Sequence, residues 1–181
     1  MKNVICISGQ PACGTSTVAR IIAEKLGLEY FSPGQYFKKH SSGKETESAI
    51  NVWKTEKGSS KDFHNDIDRI QSEIAEKGNV VIDGKLSIRM IKNADLKVWL
   101  KADIDKRAGR VVKRDFISLE SALAKVKERE ELERVNWKNI YGFDYFEQEN
   151  EADLVVDNTE LSAEETAQKI LEFWESRTER I

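Results

Sequence analysis

The chain has 181 residues, 39% of them apolar and 34% charged, with a formal net charge of −3. That length suits one α/β domain able to bury a core without staples, and the slight negative charge argues against a general nucleic-acid or membrane-surface binder, which needs a basic face to release counterions. Cys6 and Cys13 are too few and too unpatterned for a disulfide framework or a zinc site, and His40 and His64 lack metal-ligating company.

Taken in order, the first expected element is a strand from Asn3 to Ser8, apolar almost throughout, as a strand covered on both faces must be. A glycine-bearing turn leads into a helix from about Ser16 to Leu26, with Val18, Ile21, Ile22, Ala23 and Leu26 at helical spacing and Gly27 as its stop. Leu28 to Phe31 reads as a short second strand. Pro33 and Gly34 open a polar, mostly helical stretch to about Gly78, with breaks expected at Ser41–Gly43 and Lys57–Ser60 and a periodic helix from Asp62 to Glu76. Strands are expected at Asn79–Ile82, Leu96–Leu100 and Asp153–Val156. Asp103 is placed to cap a basic helix, Ser118 a long charged one reaching about Ile140, and an amphipathic helix from Ser162 to about Trp174 follows. Alternating strands and helices imply a mostly parallel sheet wrapped on both sides. The two charged helical stretches, before the third strand and after the fourth, look too polar for core and read as mobile lobes over the strand ends. No secretory leader and no apolar run long enough to span a bilayer is evident, so a soluble cytoplasmic protein is expected.

Gly9-Gln10-Pro11-Ala12-Cys13-Gly14-Thr15-Ser16 lies between the buried first strand and its helix, the context a phosphate-binding loop requires. Gly9 and Gly14 permit the turn and let backbone amides face an anion, the helix start adds partial positive charge, and Ser16 stands where a hydroxyl would bind Mg2+. The pattern asks for lysine at position 15, and this chain has Thr15. A glycine turn without a ligand, or a loop that binds nucleotide without catalysis, is the competing reading. Cys13 reads as a small loop residue rather than a nucleophile, because no base accompanies it.

Further clusters surround the loop. Ser32 to Lys38 follows the second strand and brings Lys38; Asp83-Gly84-Lys85-Leu86 follows the third and brings Lys85. Arg107, Arg110 and Arg114 share one face of a helix, and Arg129 lies on the next. A single arginine in such a place is more often a solvated charge. The set, gathered where open α/β folds bind ligands, points to a phosphate site.

These stretches resemble the archaeal-type cytidylate kinases, a group of P-loop nucleoside monophosphate kinases, from Asn3 to about Val156. The resemblance is carried by Gly9 to Thr17, Ser32 to Lys38, Ile67-Asp68-Arg69 with Gln71, Asp83 to Leu86, Ala94 to Ala102, Arg107-Ala108-Gly109-Arg110, Arg129-Glu130 and Tyr141-Gly142-Phe143-Asp144. It implies a five-stranded parallel sheet of the P-loop kinase type, with helices on both faces, a helical acceptor-binding insertion and an arginine-bearing lid. The core would take residues 1–32, 78–103 and 150–181, the insertion 33–77, and the lid with its following helix 104–149. ATP and Mg2+ would be the cofactors and small nucleotides the partners, without nucleic acid, membrane or an obligate protein partner. Gly9, Gln10, Pro11, Ala12, Cys13, Gly14, Thr15, Ser16 and Thr17 would hold ATP, and Ser16 with Asp83 would hold Mg2+. Lys38 and Lys85 would clamp the acceptor phosphate, Asp68 and Arg69 would read the base, and Arg110, Arg114 and Arg129 would stabilise the transferring phosphoryl group.

The departures bear on acceptor and turnover. Thr15 is a substitution that archaeal-type members often share. Lys38 and Lys85 stand where the group has arginine, giving point charges in place of bidentate forks. Gln35 stands where an acidic residue is usual, Asn136 and Trp137 stand for arginine and tyrosine, and Ser87-Ile88-Arg89 breaks the small-residue run while offering a new cation in Arg89. The expected function is transfer of the ATP γ-phosphoryl group to CMP, with dCMP and UMP as weaker acceptors. A kinase for another small acceptor and a nucleotide binder without phosphoryl transfer stay open.

Overall fold

A computed structural model describes residues 3–38, 45–55, 58 and 60–178; the side chains of residues 36–38 and 45 lie outside that description. Five parallel strands, β1 (Val4–Gly9), β2 (Glu29–Phe31), β3 (Val80–Asp83), β4 (Leu96–Lys101) and β5 (Leu154–Asp157), form one sheet in the order β2-β3-β1-β4-β5. Every residue of β1 is buried, because helices cover both faces. Ile5 and Ile7 pack with Val98 and Leu100 against α1 (Thr15–Leu26) and α8 (Ala163–Thr178). Val4 and Cys6 pack the other way with Val80 and Ile82, toward Ile74 and Ala75 of α4 (Lys61–Lys77). This period-two division explains the unbroken apolar run. Each fully buried aliphatic contributes about 1.5–3 kcal/mol.

The strand order reverses at β1, which lies between β3 and β4, and the crevice beyond the carboxyl ends is where such sheets take ligands. Register fixes the neighbours there: Ile7 is opposite Asp83, and Gly9 is opposite Leu100. The crevice is lined from α2 (Pro33–Lys38), α3 (Glu45–Trp53), α4 and α7 (Leu119–Tyr141), and α6 (Ile104–Asp115) packs against α7.

The expected strands and long helices are found within a few residues of their predicted ends. Two short elements were not foreseen: α5 (Ser87–Met90) and a 3-10 helix (Tyr145–Glu151). Ser118 caps α7 by accepting a hydrogen bond from the Ser121 amide at 3.2 Å. Asp103 precedes α6, but its side chain makes no capping hydrogen bond. The break expected at Ser41–Gly43 and part of that at Lys57–Ser60 lie outside the described residues.

The charged helices are not purely surface lobes. Ala108 and Val111 of α6 interlock with Ala122 and Val126 of α7. Farther along, Trp137 of α7 joins Trp53, Leu86, Ile88, Trp99 and Tyr145 in a second cluster. An average over so many charges conceals a narrow apolar stripe that needs only one partner face to become core.

Candidate active site

The phosphate loop is held open by its surroundings. A Cβ on Gly9 would press against the Leu100 carbonyl oxygen and stand 2.9 Å from Cys13 Sγ. Gly14 adopts φ 88°, and Ala12 is also left-handed at φ 63°, which costs an L-residue about 1–2 kcal/mol. Two loop carbonyls are drawn outward: Pro11 O accepts from Arg107 at 3.3 Å, and Cys13 O accepts from Arg110 at 3.2 Å and from Asn158 at 2.9 Å. Carbonyls bound on the outside, together with the left-handed turns, make the concave arrangement of amides that accepts anions. Cys13 Sγ donates to Gln10 O at 2.8 Å, and burial pushes its thiol up to about 11. It is a buried, hydrogen-bonded loop residue.

Ser16, at the start of α1, and Asp83, at the end of β3, meet beside the loop. Ser16 Oγ donates to Asp83 Oδ2 at 2.5 Å, and Tyr30 OH and Ser32 Oγ approach the same oxygen at 3.1 and 3.4 Å. This all-oxygen set suits a hard divalent cation that keeps several waters and takes its remaining ligands from phosphates, as Mg2+ does. Among the described residues no group of three or more His, Cys, Asp or Glu gathers as a closed metal site.

Two cations face the same cleft. Lys85 Nζ donates to the Gly9 carbonyl at 2.8 Å and lies 3.3 Å from Glu133 Oε2, with its ammonium 5.4 Å from the centre of the Tyr145 ring. Arg129 Nε donates to Glu133 Oε1 at 2.7 Å, and Tyr145 OH donates to Glu133 Oε2 at 3.1 Å. Burial pushes the Glu133 carboxyl up, but Arg129 and Lys85 outweigh it and hold the carboxyl below its ordinary range. Burial lowers Lys85, with Glu133 opposing. A carboxylate buried to 3% exposure thus holds two cations in the cleft that the loop borders.

The far wall is aromatic. Trp53 stacks on His64 with ring centres 5.1 Å apart, and Trp137 meets both rings edge-on at 4.6 Å. His64 Nε2 donates to the Gly58 carbonyl at 2.7 Å, and burial lowers its pKa; because a carbonyl only accepts, the ring carries its proton on Nε2. Below them Asp68 is held by Gln71 Nε2 at 2.7 Å and by the Tyr141 hydroxyl, while Ser87 Oγ donates to Gln71 Oε1 at 2.9 Å and orients that amide. Burial raises the Asp68 pKa, against both hydrogen bonds. Thr15, Ser16, Asp68, Asp83, Lys85, Arg129 and Trp137 all line this one cleft.

Other expected site residues are elsewhere. Arg69 is 62% exposed and pairs with Glu73 at 2.8 Å, and it does not line the cleft that holds Asp68. Arg89 is spent on Glu151 and the face of Phe143 and adds no cation to the cleft. Arg110 lies behind the phosphate loop, bound to Cys13 O and to Asn158. It borders a second recess lined by Gly14, Thr17, Asn158 and Leu161, not the cleft over Ser16. Arg114 borders that recess too, pairing with Asp115 at 2.8 Å and reaching Thr46 of α3. Asn136 caps nothing in the cleft; its amide bonds Leu132 O at 2.8 Å. The Lys38 side chain lies outside the described residues. Glu133, Trp53, His64 and Asn158 were not singled out as site residues by sequence reasoning. Only Trp137, noted as a departure, hinted at the aromatic wall.

A parallel sheet in this order, a phosphate loop after its central strand, a hydroxyl–carboxylate pair beside the loop and two cations in the same cleft define a P-loop kinase. Solved structures agree on the fold: an uncharacterized protein from Eubacterium ventriosum superposes with TM-score 0.71 at 17% identity, over 97% of this chain and 99% of that one. The shikimate kinase of Bacteroides thetaiotaomicron does so with TM-score 0.63, also at 17% identity, over 97% and 99%. Sequence narrows the class, since the profile of the cytidylate kinase-like family matches residues 4–160. The cytidylate kinase of Pyrococcus horikoshii is 41% identical over 143 residues, 79% of this chain and 73% of that protein. That of Methanocaldococcus jannaschii is 37% identical over 165 residues, 89% and 91% respectively. The chain belongs to the cytidylate kinase-like family.

Proposed function

We propose that this protein is a nucleoside monophosphate kinase that transfers the γ-phosphoryl group of ATP to CMP. The observation that carries the reading is the convergence of Ser16, Asp83, Lys85 and Arg129 at the phosphate loop, at one end of a cleft whose other end is an aromatic wall with a fixed carboxylate. Relatives named cytidylate kinase, at 36–41% identity, support the acceptor. The fold's core is assigned to residues 1–32, 78–103 and 150–181, the acceptor-binding insertion to 33–77 and the lid with its helix to 104–149.

In this reading the loop amides hold the donor phosphates, and Ser16 with Asp83 would hold Mg2+, whose charge would offset that of the phosphates. Lys85 and Arg129 supply the remaining positive charge, aimed at the oxygens of the transferring group before reaction begins. The nucleophile is a phosphate oxygen of the acceptor, already ionised at neutral pH, so no general base is needed. That agrees with a buried Cys13 and a His64 whose Nε2–H is spent on Gly58. The Asp68 carboxylate, acceptor-only when ionised, matches the exocyclic amine of cytosine better than the carbonyl of uracil, while Trp53, His64 and Trp137 give the base a surface to pack on. Arg110 and Asn158, at the outer recess, are assigned to the nucleoside side of the donor.

A coupled assay of ATP consumption with Mg2+ over a panel of monophosphates tests the proposal. CMP should stimulate most, with dCMP and UMP weaker. No stimulation by any monophosphate above the ATP-only rate would overturn it.

A further inference from the structure

The loop lacks a lysine of its own, yet an ammonium is bound to it. Lys85 enters from the turn after β3, and its Nζ donates to the carbonyl of Gly9, the first residue of the loop, at 2.8 Å. Lys85 and Thr15 line the same cleft, together with Gly9 and Ser16. The ammonium is fixed from behind by the Glu133 carboxylate at 3.3 Å and by the Tyr145 ring at 5.4 Å. Glu133 is in turn fixed by Arg129 and the Tyr145 hydroxyl. Side chains from α7 and from the 3-10 helix hold this cation against the loop. The turn that supplies it is itself tightly packed: a Cβ on Gly84 would collide with Ser87 Oγ and stand 3.3 Å from Pro33. Gln148 Nε2 anchors the Lys85 carbonyl at 2.8 Å.

We infer that Lys85 supplies the charge for the donor β- and γ-phosphates that the phosphate loop lacks at Thr15, with Glu133 as the positioning residue that holds it there. The chemistry requires only a cation at the mouth of the loop, and the segment that delivers it is immaterial. A lysine at position 15 and one at position 85 would therefore be alternatives for one place, which is a physical reason for threonine at the first when the second is present. The inference rests on the P-loop kinase reading and assigns Lys85 to the donor rather than to the acceptor phosphate alone.

The test is a double-substitution cycle with Thr15→Lys and Lys85→Met, read by ATP binding in the presence of Mg2+ and the absence of any acceptor, using calorimetry. Turnover with CMP is measured in parallel. Lys85→Met should weaken ATP binding about ten- to a hundredfold, the range of one charge-assisted contact. Adding Thr15→Lys should recover most of that loss, whereas the gain from Thr15→Lys in the natural background should be at least tenfold smaller. Thermal melts establish that each variant is folded, and Lys85→Gln replaces Lys85→Met if the latter is not. If Lys85→Met binds ATP as the natural chain does and raises only the KM for CMP, the inference is overturned and Lys85 serves the acceptor. Equal effects of Thr15→Lys in both backgrounds would overturn it as well. Absence of CMP-stimulated turnover in the natural chain would instead sink the proposed function and leave the ATP-binding cycle readable.

Discussion

The two walls of the cleft are built in different ways. The wall formed by the phosphate loop, Ser16 and Asp83 is assembled at the ends of neighbouring parallel strands, so a few consecutive residues and the sheet register suffice to place it. The opposite wall is assembled from α3, α4 and α7, whose Trp53, His64 and Trp137 are far apart in the chain and meet only through packing. The same contrast divides the arginines. Arg129 faces the cleft through Glu133, whereas Arg107, with 5% of its side chain exposed, bonds Ala102 O, Pro11 O and Glu130 and acts as a rivet behind the loop. Charge alone does not distinguish a catalytic cation from a structural one; what each guanidinium binds does.

Removing the rivet should have the largest effect. Arg107→Ala strands Glu130 and the Pro11 carbonyl and should cost about 3–5 kcal/mol of stability, as breaking buried pairs does. Denaturant unfolding measures it, and a loss below about 1 kcal/mol would show that the loop is held by other means. Arg129→Ala should act on the other side of the comparison. We expect kcat to fall on the order of 10²–10³-fold with ATP affinity much less affected, since the charge is needed as the phosphoryl group moves. An effect confined to KM would place Arg129 among binding groups.

Arg110 sharpens the division between the cleft and the outer recess. Arg110→Ala should raise the KM for ATP about tenfold while kcat changes less, because its guanidinium bonds Asn158 and the Cys13 carbonyl rather than anything in the cleft. A kcat loss as large as that of Arg129→Ala would return Arg110 to the transferring phosphoryl group.

His64 tests the aromatic wall through pH. Burial lowers its pKa in the folded chain below the ordinary value near 6.5, so below that value the unfolded chain binds a proton that the folded chain refuses. Stability should therefore be full above about pH 6.5 and decline as pH falls toward the depressed folded value. Melts across this range should show the slope, and His64→Gln should flatten it; an unchanged slope would mean that other groups carry it. The smallest effect belongs to Arg69→Ala. Its guanidinium is 62% exposed and pairs on the surface with Asp66 and Glu73, so stability should move by less than about 0.5 kcal/mol. The preference for CMP over UMP should be retained, and a change in that preference would bring Arg69 back to the base.

The sequence by itself determined the sheet and the loop, while the pairing of Ser16 with Asp83 came only from the family resemblance. Buried parallel strands leave unbroken apolar runs, and a glycine-bearing loop between strand and helix is a local pattern. It could not show which arginines serve the cleft. Arg107, Arg110 and Arg114 share one helical face in the sequence, yet one riveted the loop, one bonded Asn158 and one reached Thr46, outcomes set by partners 23 to 97 residues away. Only the tertiary structure decided that Glu133, one carboxylate among many on a charged helix, is buried between two cations, because burial of a charge depends on what packs around it and leaves no local mark. The same holds for Trp53, His64 and Trp137, where helical spacing predicts a buried side of each helix and only the meeting of three helices makes a wall.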